Sequence, residues 1–490
     1  MNTFIGIDLG TSAAKLLLVT ADGRILASES ASYPVRYPED GWSEQDPVDW
    51  FDGVIAAAKR LLKGQDREAV RGIGIGGQMH GLVALDKFGK VIRPCILWND
   101  GRTEKETAFL NDVIGKDKLL ALTGNIAFAG FTAPKLLWLK ENEPKNFESI
   151  DKILLPKDYM VHRLTGEFSS DYSDFAGTLL LDVEHKTFSE EMCKICGVKK
   201  EWLPRLYESY EPVGTLIKDV ADELGLRKSV VVAAGAGDNA AAAVGTGIIR
   251  DGDCNVSLGT SGTVFIPRDK FDGGSGQSLH NFCHAGGKYH LMGCILSAAS
   301  CNRWWMEEIL KSSDFDGEQC GAESMLGKNG VYFLPYLMGE RSPHNDVNAR
   351  GAFIGLRPDT SRTAMTLAVL EGVAFALKDC LVAAERGGAH IESTRICGGG
   401  AKSPLWRKII ADVLDVPVEI PKVDEGAAYG GAILAMVACG AYPNLNDAVA
   451  AVTSVKETVL PDKRIAEHYK HRYEVYRKLY PSLKDVFAIM

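Results

Sequence analysis

Two short loops combine glycine with hydroxyl side chains, a composition that suits phosphate binding. Leu9-Gly10-Thr11-Ser12 and Leu258-Gly259-Thr260-Ser261 repeat the same four residues 249 positions apart. Glycine lets the backbone approach an anion closely, and the amide and hydroxyl groups around it supply hydrogen-bond donors. A tight hairpin turn would explain either loop alone. Because the loop occurs twice, we favour phosphate binding at both.

A carboxylate stands immediately before the first loop. Asp8 would repel a phosphate there unless a cation lay between them, so its position predicts a bound Mg²⁺. The alternative is that Asp8 caps the turn as a hydrogen-bond acceptor. The repeated loop favours the first interpretation.

A third glycine run could receive a nucleoside. Gly398-Gly399-Gly400 follows a predicted strand and precedes a helix start at Ser403-Pro404. Three residues without side chains leave room for a ribose or a flat ring on the backbone. The alternative is a strand-to-helix turn that needs a positive φ, although such a turn seldom needs three glycines.

Two common nucleotide-binding motifs are absent or weak. GxxxxGK[ST] does not occur, which excludes a Walker-type phosphate loop. Residues 72–77 fit G-x-G-x-x-G but do not lead into a helix, and residues 235–240 place Asp238 where a pyrophosphate would approach. A dinucleotide-binding domain is therefore disfavoured.

Composition excludes several classes of protein. The 490-residue chain has a net charge of −9, which argues against holding nucleic acid by phosphate neutralisation. It lacks a run of about 20 apolar residues, so no membrane span is expected. Without a basic N-terminal region or a cleavage site, we expect a cytoplasmic protein.

Cysteine and glycine usage point to further features. The 11 cysteines are scattered and odd in number, which predicts reduced thiols. Cys193 and Cys196 have the spacing of a zinc or redox pair, but no second pair follows, and the cluster from His280 to His284 fits strand alternation equally well. Glycine is enriched at 51 residues, and we expect its runs, which include residues 72–81, to line a cleft.

The repeated loops divide the chain into two similar halves. An apolar strand precedes each loop, another follows it, and the Asp22-Gly23 turn predicts a hairpin after the first loop. Strands and helices alternate between the loops, which predicts two α/β domains at residues 1–247 and 248–490. Predicted helices include residues 50–62, 427–442 (buried), 465–487 and one that begins at Ser403-Pro404.

These residues carry a family resemblance. Asp8 with its loop, the Gly259-Thr260-Ser261 loop and the run from Gly398 to Ala401 together resemble the actin-like ATPases with ribonuclease-H folds. Within that superfamily the chain resembles the FGGY carbohydrate kinases. Residues 130–142 fit the first family signature, and residues 351–371 fit the second except at Ala364, where the family usually has a polar residue. The resemblance implies two ribonuclease-H-like α/β domains that face each other across a catalytic cleft.

Finer motifs are similar to those of family members that phosphorylate D-xylulose. They lie at residues 42–47, 77–81, 97–102, 155–159, 237–241 and 339–344. The resemblance implies transfer of a phosphoryl group from ATP, with Mg²⁺, to D-xylulose, giving D-xylulose 5-phosphate, and it suggests a homodimer. Kinases for ribulose, gluconate or glycerol are the nearer alternative. An actin-like, nucleotide-switched scaffold without sugar chemistry is the remoter one.

The family also implies roles for individual residues of this sequence. Asp238 is expected to be the general base that takes the proton of the sugar hydroxyl, and Asp8 to be catalytic through the Mg²⁺ that it holds. ATP contacts are expected from Thr11, Ser12, Lys15, Gly259, Thr260, Gly399, Gly400 and Ala401. Sugar contacts are expected from Met79, His80, Trp98, Asp100, Arg102 and Asn239. Alternatively, His80 is a satisfied strand histidine, Trp98 a core residue, and Asp100 with Arg102 an ion pair within a turn.

Overall fold

Two seven-stranded sheets form the frame of the protein, and the structure, a computed structural model, describes all 490 residues. In chain order the strands are β1 (Thr3–Leu9), β2 (Ala13–Thr20), β3 (Ile25–Ser32), β4 (Glu44–Gln45), β5 (Val70–Gly77), β6 (Val83–Leu85), β7 (Cys95–Ile96), β8 (Lys152–Leu154), β9 (Ser169–Asp171), β10 (Leu181–Asp182), β11 (Thr187–Phe188), β12 (Arg205–Tyr207), β13 (Pro212–Thr215), β14 (Val231–Ala233), β15 (Ala236–Gly237), β16 (Asn255–Leu258), β17 (Gly262–Arg268), β18 (His280–Cys283), β19 (Tyr289–Ile295), β20 (Tyr332–Leu334), β21 (Ala352–Ile354), β22 (Thr394–Cys397), β23 (Val418–Pro421) and β24 (Val455–Val459). The helices are α1 (Pro47–Leu61), α2 (Glu104–Ala108), α3 (Lys116–Thr123), α4 (Thr132–Asn142), α5 (Pro144–Glu148), α6 (Pro156–Thr165), α7 (Tyr172–Phe175), α8 (Glu190–Cys196), α9 (Lys218–Leu224), α10 (Asp238–Thr246), α11 (Ala299–Arg303), α12 (Phe315–Gln319), α13 (Arg362–Arg386), α14 (Pro404–Leu414), α15 (Gly426–Ala438), α16 (Leu445–Val452) and α17 (Lys463–Phe487).

The two sheets repeat one topology. The first runs in the order β13-β14-β5-β1-β2-β3, with β15 beside β5, and the second in the order β18-β19-β17-β16-β22-β23-β24. In the first, β1 pairs antiparallel with β2 and parallel with β5. In the second, β16 does the same with β17 and β22. The prediction of two ribonuclease-H-like α/β domains is therefore confirmed.

The predicted helices form, and capping side chains set where they begin. Helix α1 begins at Pro47, three residues before the predicted start, because the Asp46 carboxylate accepts a hydrogen bond from the Val48 amide. Ser403 caps α14 by accepting from the Trp406 amide, as the Ser403-Pro404 pair predicts. Helix α15 is buried, as expected, along most of its length.

Helix α15 comes from the second half of the sequence but packs on the first sheet. It lies against β1, β5 and α10, and its buried side chains share one apolar cluster with those of α10 and with Phe4 of β1. The Tyr429 hydroxyl donates to the carbonyl oxygen of Gly23 at 2.9 Å, and the Tyr442 hydroxyl donates to that of Ala21 at 2.7 Å. Residues 426–452 of the predicted domain at 248–490 therefore pack on the first sheet, because its face accepts a helix that only the second half supplies.

Glycines make room for α15 on both of its sides. On the sheet side, a Cβ on Gly74 would lie 2.0 Å from the Gly431 carbonyl oxygen. On the α10 side, a Cβ on Gly430 would lie 1.8 Å from the Ala241 carbonyl oxygen. Both distances are far inside van der Waals contact, so glycine alone permits this packing. The run at 72–81, expected to line a cleft, therefore partly serves helix packing instead.

Gly430→Ala is expected to destabilise the fold. The added methyl group would overlap the Ala241 carbonyl, so α10 and α15 must separate, and overpacking of this kind costs about 1–3 kcal/mol. Thermal unfolding followed by circular dichroism should give a Tm lower by about 2 °C or more. Gly330→Ala is the matched control, because nothing lies within 4 Å of a Cβ there. Equal Tm values for the two variants would contradict the packing argument.

The structure shows neither a group of metal-ligating side chains nor a membrane-spanning helix. All 11 cysteines are free thiols, and Cys193 and Cys196 lie on α8. No three His, Cys, Asp or Glu side chains are grouped so that they could hold a metal ion. The cluster from His280 lies on β18, in line with the strand interpretation. None of the helices combines the length and apolar character that crossing a membrane requires.

Candidate active site

The residues predicted for catalysis meet at one edge of the first sheet. Strand β1 ends one residue after Asp8, β5 ends at Gly77, two residues before Met79, and β15 ends at Gly237, directly before Asp238. Because β1 and β15 both run parallel to β5, their carboxyl ends lie along the same edge. In α/β folds this is the edge where ligands bind.

A cavity of about 260 Å³ opens at this edge and is walled by both halves of the chain. From the first half it is lined by Met79, His80, Trp98, Phe128, Gly130, Phe131, Asp238 and Asn239. From the second half it is lined by Ser257, Gly259, Ser261, Thr263, His280, Met292, Cys294 and Arg341. The cavity therefore brings together five of the eight residues predicted for catalysis and sugar binding.

Asp238 is the first residue of α10 and presents one free carboxylate oxygen. Its Oδ1 accepts hydrogen bonds from the Asn239 backbone amide at 2.8 Å and from Asn239 Nδ2 at 2.9 Å. Burial raises the pKa of Asp238 to about 6. The carboxylate is thus ionised at neutral pH but close enough to titration to exchange a proton.

Asp8 lies near Asp238 and feels its charge. Burial, and after it the charge of Asp238, raises the pKa of Asp8 to about 7, although Lys15 acts in the opposite direction. Lys15 itself is paired with Glu425, which directly precedes α15. A buried carboxylate whose ionisation is disfavoured by a neighbouring carboxylate is a place where a divalent cation would be stabilised.

His80 is held in a strained backbone conformation that aims its ring into the cavity. Its φ of 68° lies in the left-handed region, which is uncommon for residues other than glycine. Its Nδ1 lies 2.8 Å from the Gly177 carbonyl oxygen, and its ring stacks on Phe131 with 4.6 Å between centroids. Burial, followed by the charge of Lys135, lowers the pKa of His80 to about 3. The neutral ring donates through Nδ1, so its Nε2 is left as an acceptor for a ligand.

A buried lysine supports this part of the wall. Lys135 Nζ donates to the carbonyl oxygen of His80 at 2.8 Å and to that of Gly130 at 2.7 Å. Burial lowers the pKa of Lys135 to about 7. The neutral amine still has two N–H donors, so both carbonyl groups stay paired in either protonation state. Lys135 thus fixes two backbone positions that line the cavity.

Trp98 lies on the cavity wall and is not a core residue. Its side chain is 40% exposed, and its Nε1 donates to Thr11 Oγ1 at 3.0 Å. This hydrogen bond joins the cavity wall to the first phosphate loop.

Asp100 and Arg102 lie outside the cavity, in a buried ion cluster. Arg102 donates to both oxygens of Asp100, at 2.8 and 2.7 Å, and its Nη1 lies 2.7 Å from Glu44 Oε1. The guanidinium also stacks on Trp42, 3.7 Å from the ring centroid. Asp100 and Arg102, which the sequence predicts to contact the sugar, thus form the alternative ion pair, and their polar atoms are used within the protein.

A second, larger cavity of about 600 Å³ adjoins the first and shares Gly259 with it. It lies at the carboxyl ends of β16 and β22, the parallel strands of the second sheet. Its lining residues are Leu258, Gly259, Thr260, Ala299, Ser300, Asn302, Arg303, Phe315, Asp316, Gln319, Gly399, Gly400, Lys402, Ser403 and Trp406. The predicted loop at Gly259 and the glycine run therefore share one cavity.

The three glycines of the run have different reasons to be glycine. Gly398 has a φ of 89°, the positive value that the turn interpretation requires. A Cβ on Gly400 would lie 2.8 Å from the Trp406 ring, whereas nothing lies within 4 Å of a Cβ on Gly399. Gly399 alone thus leaves open space for a ligand. Ala401 is buried and does not line the cavity.

The first phosphate loop is held firmly from behind. Gln45 Nε2 donates to the Thr11 carbonyl oxygen at 2.7 Å, and the Tyr33 hydroxyl donates to that of Gly10. Neither Thr11 nor Ser12 lines either cavity, and the same is true of Lys15. Thr11 approaches the smaller cavity only through its hydrogen bond from Trp98.

Several residues that line the cavities have no role predicted from the sequence. In the larger cavity these are Asn302, Arg303, Phe315, Gln319 and Lys402. In the smaller one they include Phe131, His280 and Arg341. Arg341 lies within a recognised motif, residues 339–344, which was the only signal available for it.

Family comparisons match nearly the whole chain. Residues 3–245 match the family described as "FGGY family of carbohydrate kinases, N-terminal domain", and residues 254–439 match its C-terminal domain. The xylulose kinase of Escherichia coli K12 is 40% identical over 488 residues, covering 99% of this chain and 100% of that protein.

Solved structures agree in fold over the same length. A crystal structure of a xyloylose kinase from Brucella ovis superposes with a TM-score of 0.93 at 40% identity, covering 99% of this chain and 100% of that one. A gluconate kinase from Lactobacillus acidophilus also gives a TM-score of 0.93, at 27% identity and 98% coverage of both chains. Relatives with different sugars thus share this architecture.

Proposed function

The chain belongs to the FGGY family of carbohydrate kinases, and from this premise we propose that it transfers the γ-phosphoryl group of ATP to O5 of D-xylulose. It is a sugar phosphotransferase that resembles xylulose kinases over its full length. The choice of D-xylulose rests on the 40% identity with the Escherichia coli xylulose kinase.

The shared wall of the two cavities carries this proposal. The smaller cavity holds Asp238 and His80, and it meets the larger, glycine-lined cavity at Gly259. Sugar in the first and nucleotide in the second would bring the acceptor hydroxyl and the terminal phosphate together at that residue. Phosphoryl transfer depends chiefly on such positioning.

In this arrangement Asp238 acts as the general base. The free oxygen of Asp238 takes the O5 proton as the O5–phosphorus bond forms and the bond from phosphorus to the bridging oxygen breaks, releasing ADP. Met79, His80, Trp98 and Asn239 line the same cavity and contact the sugar. The neutral ring of His80 accepts a hydrogen bond from a sugar hydroxyl through Nε2.

Nucleotide binding falls to the second sheet and the glycine loops. Gly259 and Thr260 face the phosphates, while Gly399 and Gly400 face the adenosine. Thr11, Ser12 and Lys15 belong to the first phosphate loop and its strand, and they would reach the phosphates if the cleft narrowed around ATP.

The residues near Asp8 fit a divalent cation. Asp8 lies close to Asp238, and burial together with that neighbouring charge raises the pKa of Asp8 to about 7, a cost that a cation would relieve. Asp8 would hold Mg²⁺, since this ion is usually bound through one or two carboxylates together with substrate phosphates. When bound, Mg²⁺ neutralises charge on the triphosphate.

A substrate panel tests the proposed function. ADP release is measured with D-xylulose, D-ribulose, D-gluconate and glycerol, and the product is identified by phosphorus NMR. The highest kcat/KM is expected for D-xylulose, with the phosphate on O5. A higher kcat/KM for another sugar would assign a sibling activity. ATP turnover that no sugar stimulates would instead favour the nucleotide-switched scaffold.

Lys135→Met is expected to weaken sugar binding selectively. The variant fills the same space but leaves the buried carbonyl group of Gly130 without a donor, which costs about 1–3 kcal/mol, and leaves that of His80 with only the Thr132 hydroxyl at 3.1 Å. The KM for the sugar should rise about 10- to 100-fold while the KM for ATP changes little. Lys140→Met, on the exposed face of the same helix, is the control. A parallel rise in both KM values would contradict a role specific to the sugar wall.

A further inference from the structure

Arg341 is a charged group in the smaller cavity that has no part in the mechanism above. It lies in the loop after β20, in the second half of the chain, whereas Asp238 and His80 belong to the first half. The same cavity of about 260 Å³ is lined by all three. Arg341 thus reaches the sugar cavity from the opposite side of the cleft.

The backbone of Arg341 is fixed while its guanidinium is free. The buried carboxylate of Glu340 accepts hydrogen bonds from the Leu296 amide at 3.0 Å and from the Arg341 amide at 2.8 Å. The guanidinium makes no salt bridge, and it lies over the ring of Phe128, 5.6 Å from the centroid. Arg102, by contrast, spends its donors on two carboxylates. Arg341 therefore offers an unused, permanently charged donor to a ligand.

Two neutral imidazoles accompany this guanidinium. Burial, and after it the charge of Arg341, lowers the pKa of His280. The pKa of His80 is likewise lowered, by burial first and with a smaller effect from Arg341. The Nδ1 atom of His280 is buried without a hydrogen-bond partner. This end of the cavity thus combines one cation, which only donates, with the His80 ring, whose free Nε2 accepts, and the His280 ring, which carries one donor and one acceptor.

The proposed substrate has one oxygen that only accepts. A ketopentose closes into a five-membered ring through O5, the oxygen that must be free for phosphoryl transfer. It therefore reacts as the open chain, which carries a carbonyl group at C2. Its hydroxyl groups both donate and accept, so they can pair with either imidazole. The carbonyl oxygen cannot donate, and its natural partner is a charged donor.

We propose that Arg341 binds the C2 carbonyl oxygen of the open-chain ketose and thereby selects ketoses over the corresponding polyols. This inference rests on the proposed function. A polyol has a hydroxyl group at C2 instead of the carbonyl group. The hydroxyl oxygen carries less negative charge, and its proton cannot be accepted by the guanidinium, which is only a donor. The guanidinium therefore gains less from the polyol than from the ketose.

The test compares Arg341→Met with Arg341→Lys in the full-length protein. The kcat/KM is measured for D-xylulose, and the Ki is measured for xylitol, its C2-reduced form, as a competitor. Arg341→Met should lower kcat/KM for the ketose by about 10- to 100-fold, the worth of a hydrogen bond to a charged group. The Ki of xylitol should change by less than about threefold, and Arg341→Lys should keep part of the preference. Arg350→Met, from the same segment but outside the cavity, should match the wild type.

The outcomes separate this inference from the function on which it rests. Equal losses for ketose and polyol in Arg341→Met, or no loss for the ketose, would overturn the role of Arg341. A wild-type protein that phosphorylates no ketose would overturn the proposed function instead. Circular dichroism and the KM for ATP report whether each variant is folded. If Arg341→Met does not fold, the comparison of ketose and polyol is made with Arg341→Lys.

Discussion

Asp238→Asn is expected to lower kcat by about 100- to 10,000-fold, the usual contribution of a general base. Asparagine has nearly the same shape and can still accept from Asn239, but it cannot take the O5 proton. Because burial raises the pKa of Asp238 to about 6, the wild-type kcat/KM for the sugar, measured with Mg²⁺ and ATP saturating so that Asp8 stays ionised, should be level above that pH and fall as the Asp238 carboxylate is protonated below it. Both results come from a coupled ADP-release assay run between about pH 5 and pH 8.

The control separates catalysis from folding and binding. Titration calorimetry should give wild-type affinity for ATP in Asp238→Asn, since the residue lines the smaller cavity and not the larger one. Asp269→Asn removes an exposed carboxylate that pairs with Lys288 and should retain full activity. A kcat of Asp238→Asn within about tenfold of the wild-type value would contradict the role of Asp238 as the general base.

Asp8→Asn is expected to lower kcat about 100-fold or more, because the variant loses the charge that would hold Mg²⁺ at the triphosphate. The same substitution should raise stability at neutral pH. The pKa of Asp8 is raised from 3.8 to about 7 in the folded protein, so the folded state binds more protons than the unfolded state between these values. Stability is therefore lost as pH rises through this window, and asparagine avoids that loss.

Thermal unfolding in a chelator measures this second effect. The Tm of Asp8→Asn should exceed that of the wild type at pH 8, and the two should converge at about pH 3, below both pKa values, where the wild-type carboxyl group is protonated in the folded and the unfolded state. Added Mg²⁺ should raise the Tm of the wild type more than that of the variant. A variant that is less stable at pH 8, or as active as the wild type, would rule out this role for Asp8.

The local parts of the fold could be predicted from the sequence. The Asp22-Gly23 turn, the cap at Ser403 and the repeated loops each depend on residues that are close in the chain, so their patterns remain visible in one dimension. The same holds for the strands on either side of each repeated loop, because the loop follows the first strand of its sheet.

The location of α15 could not be predicted in this way. Its apolar composition indicates a buried helix but not the surface that buries it. That surface is set by glycines such as Gly74 on β5, more than 300 residues earlier in the chain, where the absence of a side chain is the signal. The periodicity of a sequence indicates where apolar side chains lie. It does not indicate where two elements pack closely because glycines have no side chain.

In the candidate site, too, some residues could be predicted from local sequence motifs and others could not. Asp238, His80 and Gly259 stand in motifs whose chemistry follows from residue type, and they line adjoining cavities. Asp100 and Arg102 have equally suitable side chains, but they pair with each other, and Glu44, far away in the sequence, pairs with Arg102 as well. Arg341 shows the opposite. Its guanidinium can bind a ligand because it has no partner within the protein, and only the folded structure reveals that.

The seat of α15 on the first sheet also bears on how the protein is made. A ribosome that has released residues 1–247 has delivered every strand of the first sheet, yet the helix that covers one face is still to be translated. Until residues 426–438 emerge, the nascent chain exposes that face. The first half of the protein therefore cannot finish folding before the second half is made. The packing of both sheets is completed only during the last quarter of translation.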